Sequence, residues 1–343
     1  MSMIETEAND WLDNTDGIKA YSDVESIPIF VNQTAQTPIV TIAIPTFNRI
    51  NTLKEALESA LAQDYADYEI IVVDNNPERD DDTERFMMKY SNHPKCSYYK
   101  NTKNTGLFGN WNRCFLLSRT QWVTLLHDDD YYYPEYLSTL LSCLKNHPDI
   151  DALSCKYNYW KEYEKNTPIN VIDREEIPEP KDLSTVSKGA FLFSHPIGPI
   201  GLIFKKSLFL ELGGFNEKYY PIADYVFNWR YYRKYKFLRL NVVLANYRMG
   251  RNLSSKAEVI ETQEIKGKYL RMSYIAKNNL CFVTAKMVDA YYRHQMQSLS
   301  RRFPEYNITP FNPISRWNIY LILYKVYTKW YLRLRDKFIH KKL

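Results

Sequence analysis

WVTLLHDDDYYYPEYL, residues 122–137, decides the fold. WVTLL is a short run, apolar but for one Thr, that ends on His127 and three successive aspartates. A run of that length bounded by turn formers reads as a buried strand. Working outward, IVTIAIP (39–45), EIIVVDN (69–75) and residues 96–100 repeat the pattern. Between them lie helical stretches: one through Gln63, with Thr52 and Glu55 at capping-box spacing, one near 81–91 and one near 107–118. Short strands alternating with helices imply parallel crossovers and an α/β sheet covered on both faces.

The second half continues in kind. A helix follows Pro134, a strand covers about 152–157, and the polar, Pro-containing stretch 161–184 reads as a loop. A short helix from Ser187, a strand over 200–204, a helix closed by Gly213-Gly214, a helix over 223–235 and a strand over 242–247 come next, and 256–300 reads as helical. Residues 1–37 show no sustained period and read as an extension. The expected organisation is a core domain over 38–250 and a helical appendage over 251–343.

Composition sets limits. The chain has 343 residues with 45% hydrophobic and 25% charged content, which excludes a disordered or fibrous chain. Its five cysteines form no C-x-x-C pair, so they read as buried thiols of a reducing compartment. The acidic start MSMIETEANDWLDNTDG lacks the basic and apolar regions of a secretory signal, so the expected location is cytoplasmic. Neither a Walker nor a GxGxxG signature occurs, which sets aside ATPase and dehydrogenase readings.

In open α/β sheets ligands bind beyond the carboxyl ends of strands. Those ends read Thr46-Phe47-Asn48-Arg49, Asp74-Asn75-Asn76, Asn104-Thr105-Gly106 and His127-Asp128-Asp129-Asp130. Three adjacent carboxylates repel one another, and a divalent cation such as Mn²⁺ or Mg²⁺ relieves this. A solvated turn is the plainer reading of three aspartates alone. The strand before them and Asp74 at a second strand end favour a site.

Over residues 38–250 the chain resembles the family 2 glycosyltransferases, with their GT-A fold. The resemblance lies in VTIAIPTFNR, EIIVVDNN, NTGLFGNWNRCFLLSRTQWVTLLHDDDYYYPEYL and GLIFKKSLFLELGGFNEKYYPIADYVFNWR. It implies a nucleotide-sugar donor, a UDP-sugar foremost, a divalent cation and sugar transfer with inversion. By the same resemblance Thr46, Asn48, Arg49 and Asp74 hold the donor nucleotide, with Asp74 facing the base. Asn104 and Asn112 are further nucleotide contacts, Asp128 touches the ribose, and Asp129 and Asp130 bind the metal. Asp224, in ADYVFNWR, takes the place of the general base, with Ala223 where the family has a first acid. No His follows the last strand; Arg248 and Arg251 are the expected diphosphate contacts. A GT-A-like module that binds a nucleotide without catalysis is the alternative.

Residues 301–343 hold ten Lys/Arg against Glu305 and Asp336, so the rest of the chain is net acidic. Trp317, Tyr320, Tyr324, Tyr327, Tyr331, Leu334 and Phe338 recur at helical spacing, with Lys325, Lys329, Arg333 and Lys337 on another face. A basic, aromatic, amphipathic helix suits the interface of an anionic membrane. The same stripe suits packing on the body or on a second subunit. A saccharide or lipid-linked acceptor at the cytoplasmic membrane face is the corresponding expectation, and no nucleic acid is expected.

Overall fold

The computed structural model describes residues 16–32, 37–161, 183–186, 189–249 and 253–338. Most of the expected 161–184 loop, Ser187 and Arg251 therefore lie outside the described residues. The chain divides into two compact units, one of Asp16–Thr185 with Ile197–Gly250, the other including Val186–Pro196 and Arg251–Leu343.

The first unit is built on a ten-stranded sheet. Its strands are β1 (Ser26–Phe30), β2 (Val40–Thr46), β3 (Tyr68–Asp74), β4 (Cys96–Asn101), β5 (Trp122–Leu125), β6 (Tyr131–Tyr132), β7 (Ala152–Lys161), β8 (Leu183–Thr185), β9 (Leu202–Lys205) and β10 (Phe237–Met249). Strand order is β1-β4-β3-β2-β5-β9-β7-β10-β6, with β8 paired to β10. The block β4-β3-β2-β5 is parallel, as is the pair β7-β10. Strand β9 lies antiparallel between β5 and β7 and joins these blocks, and β1 closes the edge antiparallel to β4. The sheet is thus mostly parallel, as the alternation of strands and helices implies.

Helices α1 (Ile50–Leu61), α2 (Asp82–Met87), α3 (Gly106–Leu117), α4 (Tyr136–Asn146), α6 (Lys206–Glu211) and α7 (Ala223–Lys234) belong to this unit; α5 (Ala190–Phe193) belongs to the other. Both faces of β2 are buried because Val40, Ile42 and Ile44 pack with Leu53, Ala56, Leu57 and Ala60 of α1, while α3 lies against β2 and β3. Each buried apolar side chain of this size stabilises by roughly 1.5–3 kcal/mol. A second, aromatic layer gathers Phe115, Phe204, Phe209, Phe215 and Phe227, with the Phe115 and Phe209 rings stacked at 3.5 Å. It seats α3, α6 and α7 against one another.

The expected capping box at α1 does not form. The helix starts at Ile50, its cap residue Arg49 makes no side-chain cap bond, and Thr52 Oγ1 donates to Arg49 O at 3.3 Å. Glu55 is drawn away by a stronger partner, the guanidinium of Arg248. The helix expected over 81–91 is the short α2 followed by a 3-10 turn at Met88–Tyr90.

In the other unit α8 (Ala257–Lys277) and α9 (Phe282–Arg302) replace the single helical stretch read over 256–300. Asn279 breaks it with a φ of 48°, a left-handed conformation that Asn tolerates. Helix α10 (Ile319–Phe338) packs by Leu321 on Ala290 and Ile314 of this unit, and by Tyr324 on Tyr291, the rings stacked at 4.4 Å. The Tyr324 hydroxyl donates to the Phe193 carbonyl and Tyr327 lies 4.7 Å from the Phe193 ring. Part of the aromatic stripe is therefore a packing face. Trp317, at 73% exposure, and Val326, at 58%, are not.

Candidate active site

Because β2, β3, β4 and β5 are parallel neighbours, their carboxyl ends fall on one edge of the sheet. Four asparagines tie those ends together. Asn75 Oδ1 accepts from Asn101 Nδ2 at 2.9 Å and from Thr105 N at 3.0 Å, and Asn75 Nδ2 donates to Asn104 Oδ1 at 2.8 Å. Asn110, on α3, donates to Val73 O at 3.1 Å and accepts from Asn101 at 2.9 Å. Buried amides satisfied in this way rigidify the edge.

Thr46 closes β2, and its hydroxyl donates to Asp128 Oδ2 at 2.8 Å. Arg49, in the turn into α1, reaches across the same edge. Its Nη1 donates to Asp129 Oδ2 at 2.7 Å and to Asp128 Oδ1 at 3.2 Å. Burial, then the charge of Asp129, pushes the Asp128 pKa up to about 6, against the pull of Arg49. Asp130 Oδ1 accepts from Arg248 N at 2.8 Å, so β10 fixes the far side of the turn. Arg248 Nε donates to Asp129 O at 2.8 Å. Its guanidinium thus holds the aspartate turn and Glu55, where the sequence reading set it against a diphosphate.

His127 lies between the end of β5 and the three aspartates. Its ring stacks on Trp111 at 4.6 Å with an 18° interplanar angle, and Nδ1 lies 3.0 Å from Asp130 Oδ2. Burial opposes charge on the ring, but the Asp130 hydrogen bond and the three carboxylates outweigh it and raise the His127 pKa. Burial raises Asp130 as well. Ligand atoms of His127, Asp129 and Asp130 lie within 4.8 Å of one another, and His127 Nε2 is buried with no hydrogen-bond partner among the described residues. These donors fit a divalent cation: close carboxylates, and an imidazole nitrogen left open.

Asp224 sits in the first turn of α7, half-buried. Burial raises its pKa, while the Tyr225 amide and the charge of His127 lower it. It lies within electrostatic reach of the aspartate turn although almost a hundred residues separate them in sequence.

Other expected contacts have different surroundings. Asp74 is fully buried; Asp74 Oδ1 accepts from Asn76 N at 2.9 Å, and Oδ2 accepts from Tyr98 OH and Lys100 Nζ, each at 2.8 Å. Its carboxylate anchors a lysine that is itself 1% exposed, where the sequence reading faced it to a base. Asn48, exposed and in a left-handed turn at φ 55°, accepts from Asn76 Nδ2 at 3.0 Å and lines the edge in front of Asp74. Asn104 is exposed, its Oδ1 turned into its own loop toward Gly106 N at 2.9 Å. Asn112, expected as a nucleotide contact, faces the protein interior. It is buried, and its amide is consumed by the Phe215 main chain, donating to O at 2.7 Å and accepting from N at 2.9 Å. Glu217 was missed by sequence reasoning. Its carboxylate accepts from Phe108 N at 2.9 Å and supplies α3 with a capping acid from 109 residues away, so no local pattern announces it.

Residues 41–238, more than half the chain, match the family described as glycosyl transferase family 2. A GalNAc(5)-diNAcBac-PP-undecaprenol beta-1,3-glucosyltransferase of Campylobacter jejuni is 34% identical over 185 residues, 53% of this chain and 56% of that protein. An uncharacterized glycosyltransferase of Rickettsia typhi is 28% identical over 214 residues, 62% of this chain and 63% of that protein. The matches thus span about three fifths of the relatives' lengths. Among solved structures, residues 1–349 of S. aureus TarS superimpose with a TM-score of 0.53 at 18% identity, covering 77% of this chain and 73% of that one. A mannosyltransferase of Pyrobaculum calidifontis in complex with GDP-Man and Mn²⁺ gives 0.50 at 14% identity, covering 98% and 90%. With its mostly parallel α/β sheet and its polar strand-end edge, this chain belongs to glycosyl transferase family 2.

Proposed function

We propose that the chain transfers one sugar, with inversion, from a nucleotide-sugar donor, a UDP-sugar foremost, to a saccharide or lipid-linked acceptor in surface-polysaccharide synthesis. The observation that carries this reading is the convergence of Thr46, Arg49, His127–Asp130 and Asp224 on one sheet edge. A TarS structure holds UDP-GlcNAc, with a TM-score of 0.51 to this chain at 15% identity, 77% of this chain and 83% of that one covered. The names of the C. jejuni relative and of a putative colanic acid biosynthesis glycosyl transferase of Escherichia coli, 30% identical over 105 residues, 31% of this chain and 37% of that protein, place those proteins in glycan assembly.

In this reading Asp128, fixed by Thr46, faces the donor ribose, and Asn48 and Asn104 border the nucleotide. Asp129 with His127 and Asp130 would hold Mn²⁺ or Mg²⁺, which when bound supplies positive charge to the leaving diphosphate. Arg49 exchanges its carboxylate partners for phosphate oxygens as the donor enters. Asp224 accepts the proton of the acceptor hydroxyl as that oxygen attacks the anomeric carbon from the opposite face, so a single displacement inverts the centre. Its raised pKa keeps it basic enough to take the proton.

No helix of the described residues is long and apolar enough to cross a membrane. Exposed Trp317, Ile319, Leu323 and Val326, set among Arg316, Lys325 and Lys329, form instead a basic apolar surface that we assign to peripheral contact with an anionic membrane.

Calorimetric titration with UDP-, GDP- and dTDP-sugars, with and without Mn²⁺, tests the donor reading. Metal-dependent binding of one nucleotide class is expected; heat from none of them overturns it.

A further inference from the structure

We infer that Tyr157, Tyr159 and Tyr247, at the carboxyl ends of β7 and β10, form a platform on which a sugar ring of the acceptor stacks. The inference rests on the transferase reading above and adds to it the side chains that receive the acceptor.

Strand register brings the three rings together. Tyr157 and Tyr159 lie two residues apart on one face of β7, and β10 sets Ala245 beside the first and Tyr247 beside the second. Ala245 is short, so the rings meet. Tyr157 and Tyr159 centroids are 5.4 Å apart, Tyr157 and Tyr247 6.1 Å, and Tyr159 and Tyr247 6.0 Å. The Tyr159 ring stands edge-on to both neighbours, at 76° and 90°. Tyr157 is pinned by the backbone at Gly198, where an added Cβ would come within 2.1 Å of the Tyr157 ring. Tyr157 and Tyr247 rest on the hydrophobic core, whereas Tyr159 is 63% exposed. Rings fixed before a ligand arrives lose little conformational freedom on binding it.

Chemistry selects the occupant. A pyranose carries C–H groups on a flat face and hydroxyls around its rim. A tyrosine ring suits the first and its hydroxyl the second. The Tyr157 and Tyr159 hydroxyls lie 3.4 Å apart, so polar groups border the apolar surface. An acyl chain offers those hydroxyls no partner.

Placement separates this ligand from the donor nucleotide. Asn48 and Asn104 follow β2 and β4, which lie on one side of β5 in the sheet, while β7 and β10 lie on the other. The aspartate turn leads from the end of β5 to β6, which pairs with β10. Arg248, the residue after Tyr247, donates its main-chain N–H to Asp130 Oδ1 at 2.8 Å. Tyr159 is one strand further, a step of about 4.8 Å. A sugar ring seated on these tyrosines thus lies near the aspartate turn, in the half of the sheet that the nucleotide does not use.

Saturation-transfer NMR on the full chain tests this without turnover. The probes are the methyl glycosides of glucose, galactose, GlcNAc and GalNAc at millimolar concentration, with UDP and Mn²⁺ present. Wild type should transfer saturation to the ring C–H protons of at least one of them. Tyr159→Ala should weaken that glycoside roughly 3- to 10-fold and Tyr159→Trp should restore it. Tyr159→Ala combined with Tyr247→Leu should abolish the transfer. Affinity for UDP should change less than about 2-fold in every variant, which also reports that the sheet edge is folded. Transfer to none of the four glycosides, or transfer that survives in the double variant, overturns the platform while UDP binding keeps the donor reading standing. Failure of wild type to bind UDP, with or without Mn²⁺, counts against the donor reading instead.

Discussion

Arg49 Nη1 lies 2.7 Å from Asp129 Oδ2, so the acid turn after β5 carries its own counter-ion. Four formal charges, three negative and one positive, sit within a single strand-end turn and the loop opposite it. The arrangement tolerates three adjacent carboxylates before any ligand arrives.

Arg49→Ala should therefore destabilise the ligand-free protein by about 1–2 kcal/mol, discounted because the guanidinium is 35% exposed. Millimolar Mn²⁺ should recover most of the lost melting temperature. Thermal unfolding with and without the ion checks this, and a loss that Mn²⁺ leaves untouched would refute the counter-ion role.

Asp128 predicts a pH signature. Its pKa is raised, so the folded chain binds this proton more readily than the unfolded chain, and the ionised form costs stability above pH about 6. The rise from 3.8 to about 6 corresponds to at most ~3 kcal/mol. Asp128→Asn should be the more stable protein at pH 8, the gap closing as pH falls through about 6 toward 4. Denaturant titrations across this range measure the gap, and the same variant should bind donor more weakly.

Asp224 must be unprotonated to act as base, and burial raises its pKa, so the acid limb of kcat should lie above the ordinary carboxylate value. In the metal-free protein His127→Gln removes a charge that lowers the Asp224 pKa, and that pKa should rise further. Asp224→Asn should cut kcat by roughly 10²–10⁴ with donor Kd changed less than about 2-fold. A pH–rate series and calorimetry on the three proteins separate these effects.

How much of this was legible in sequence depends on distance along the chain. The strands IVTIAIP and EIIVVD announce themselves because both faces are buried and no alternation is needed. The three aspartates follow because a strand end is a local feature. By contrast, Arg49 meets Asp129 over 80 residues, Arg248 meets Glu55 over 193, and Glu217 caps α3 over 109. Such pairings arise from topology, so a capping-box reading of Glu55 was reasonable and still displaced. The antiparallel β9 was hidden likewise, since an apolar strand reads alike in either direction.

The exposed surface around α10 yields a further test. Trp317→Ser with Lys325→Glu and Lys329→Glu should reduce binding to vesicles containing anionic lipid at least about 10-fold, since each basic residue near the surface contributes about 1 kcal/mol. The fold should survive, because Leu321 and Tyr324 remain in place. Unchanged vesicle sedimentation would refute membrane contact through this face.

Asn112→Ala should be the most disruptive of these single changes. It strands the Phe215 amide and carbonyl in a buried turn, at about 1–3 kcal/mol for each group. Gly214→Ala should mimic it, because a Cβ there would come within 2.5 Å of Asn112 Oδ1 at a φ of 64°. Denaturant midpoints check both.

The Asn112 amide also defines where this protein can be recombined. It grips the turn that leads into α7, so the donor-side helix and the residue proposed as base are registered by one side chain. A chimera that takes α3 from one parent and the 213–224 segment from another breaks that register. Exchange of residues 104–224 as one block keeps Asn112 and its Phe215 partner from the same parent.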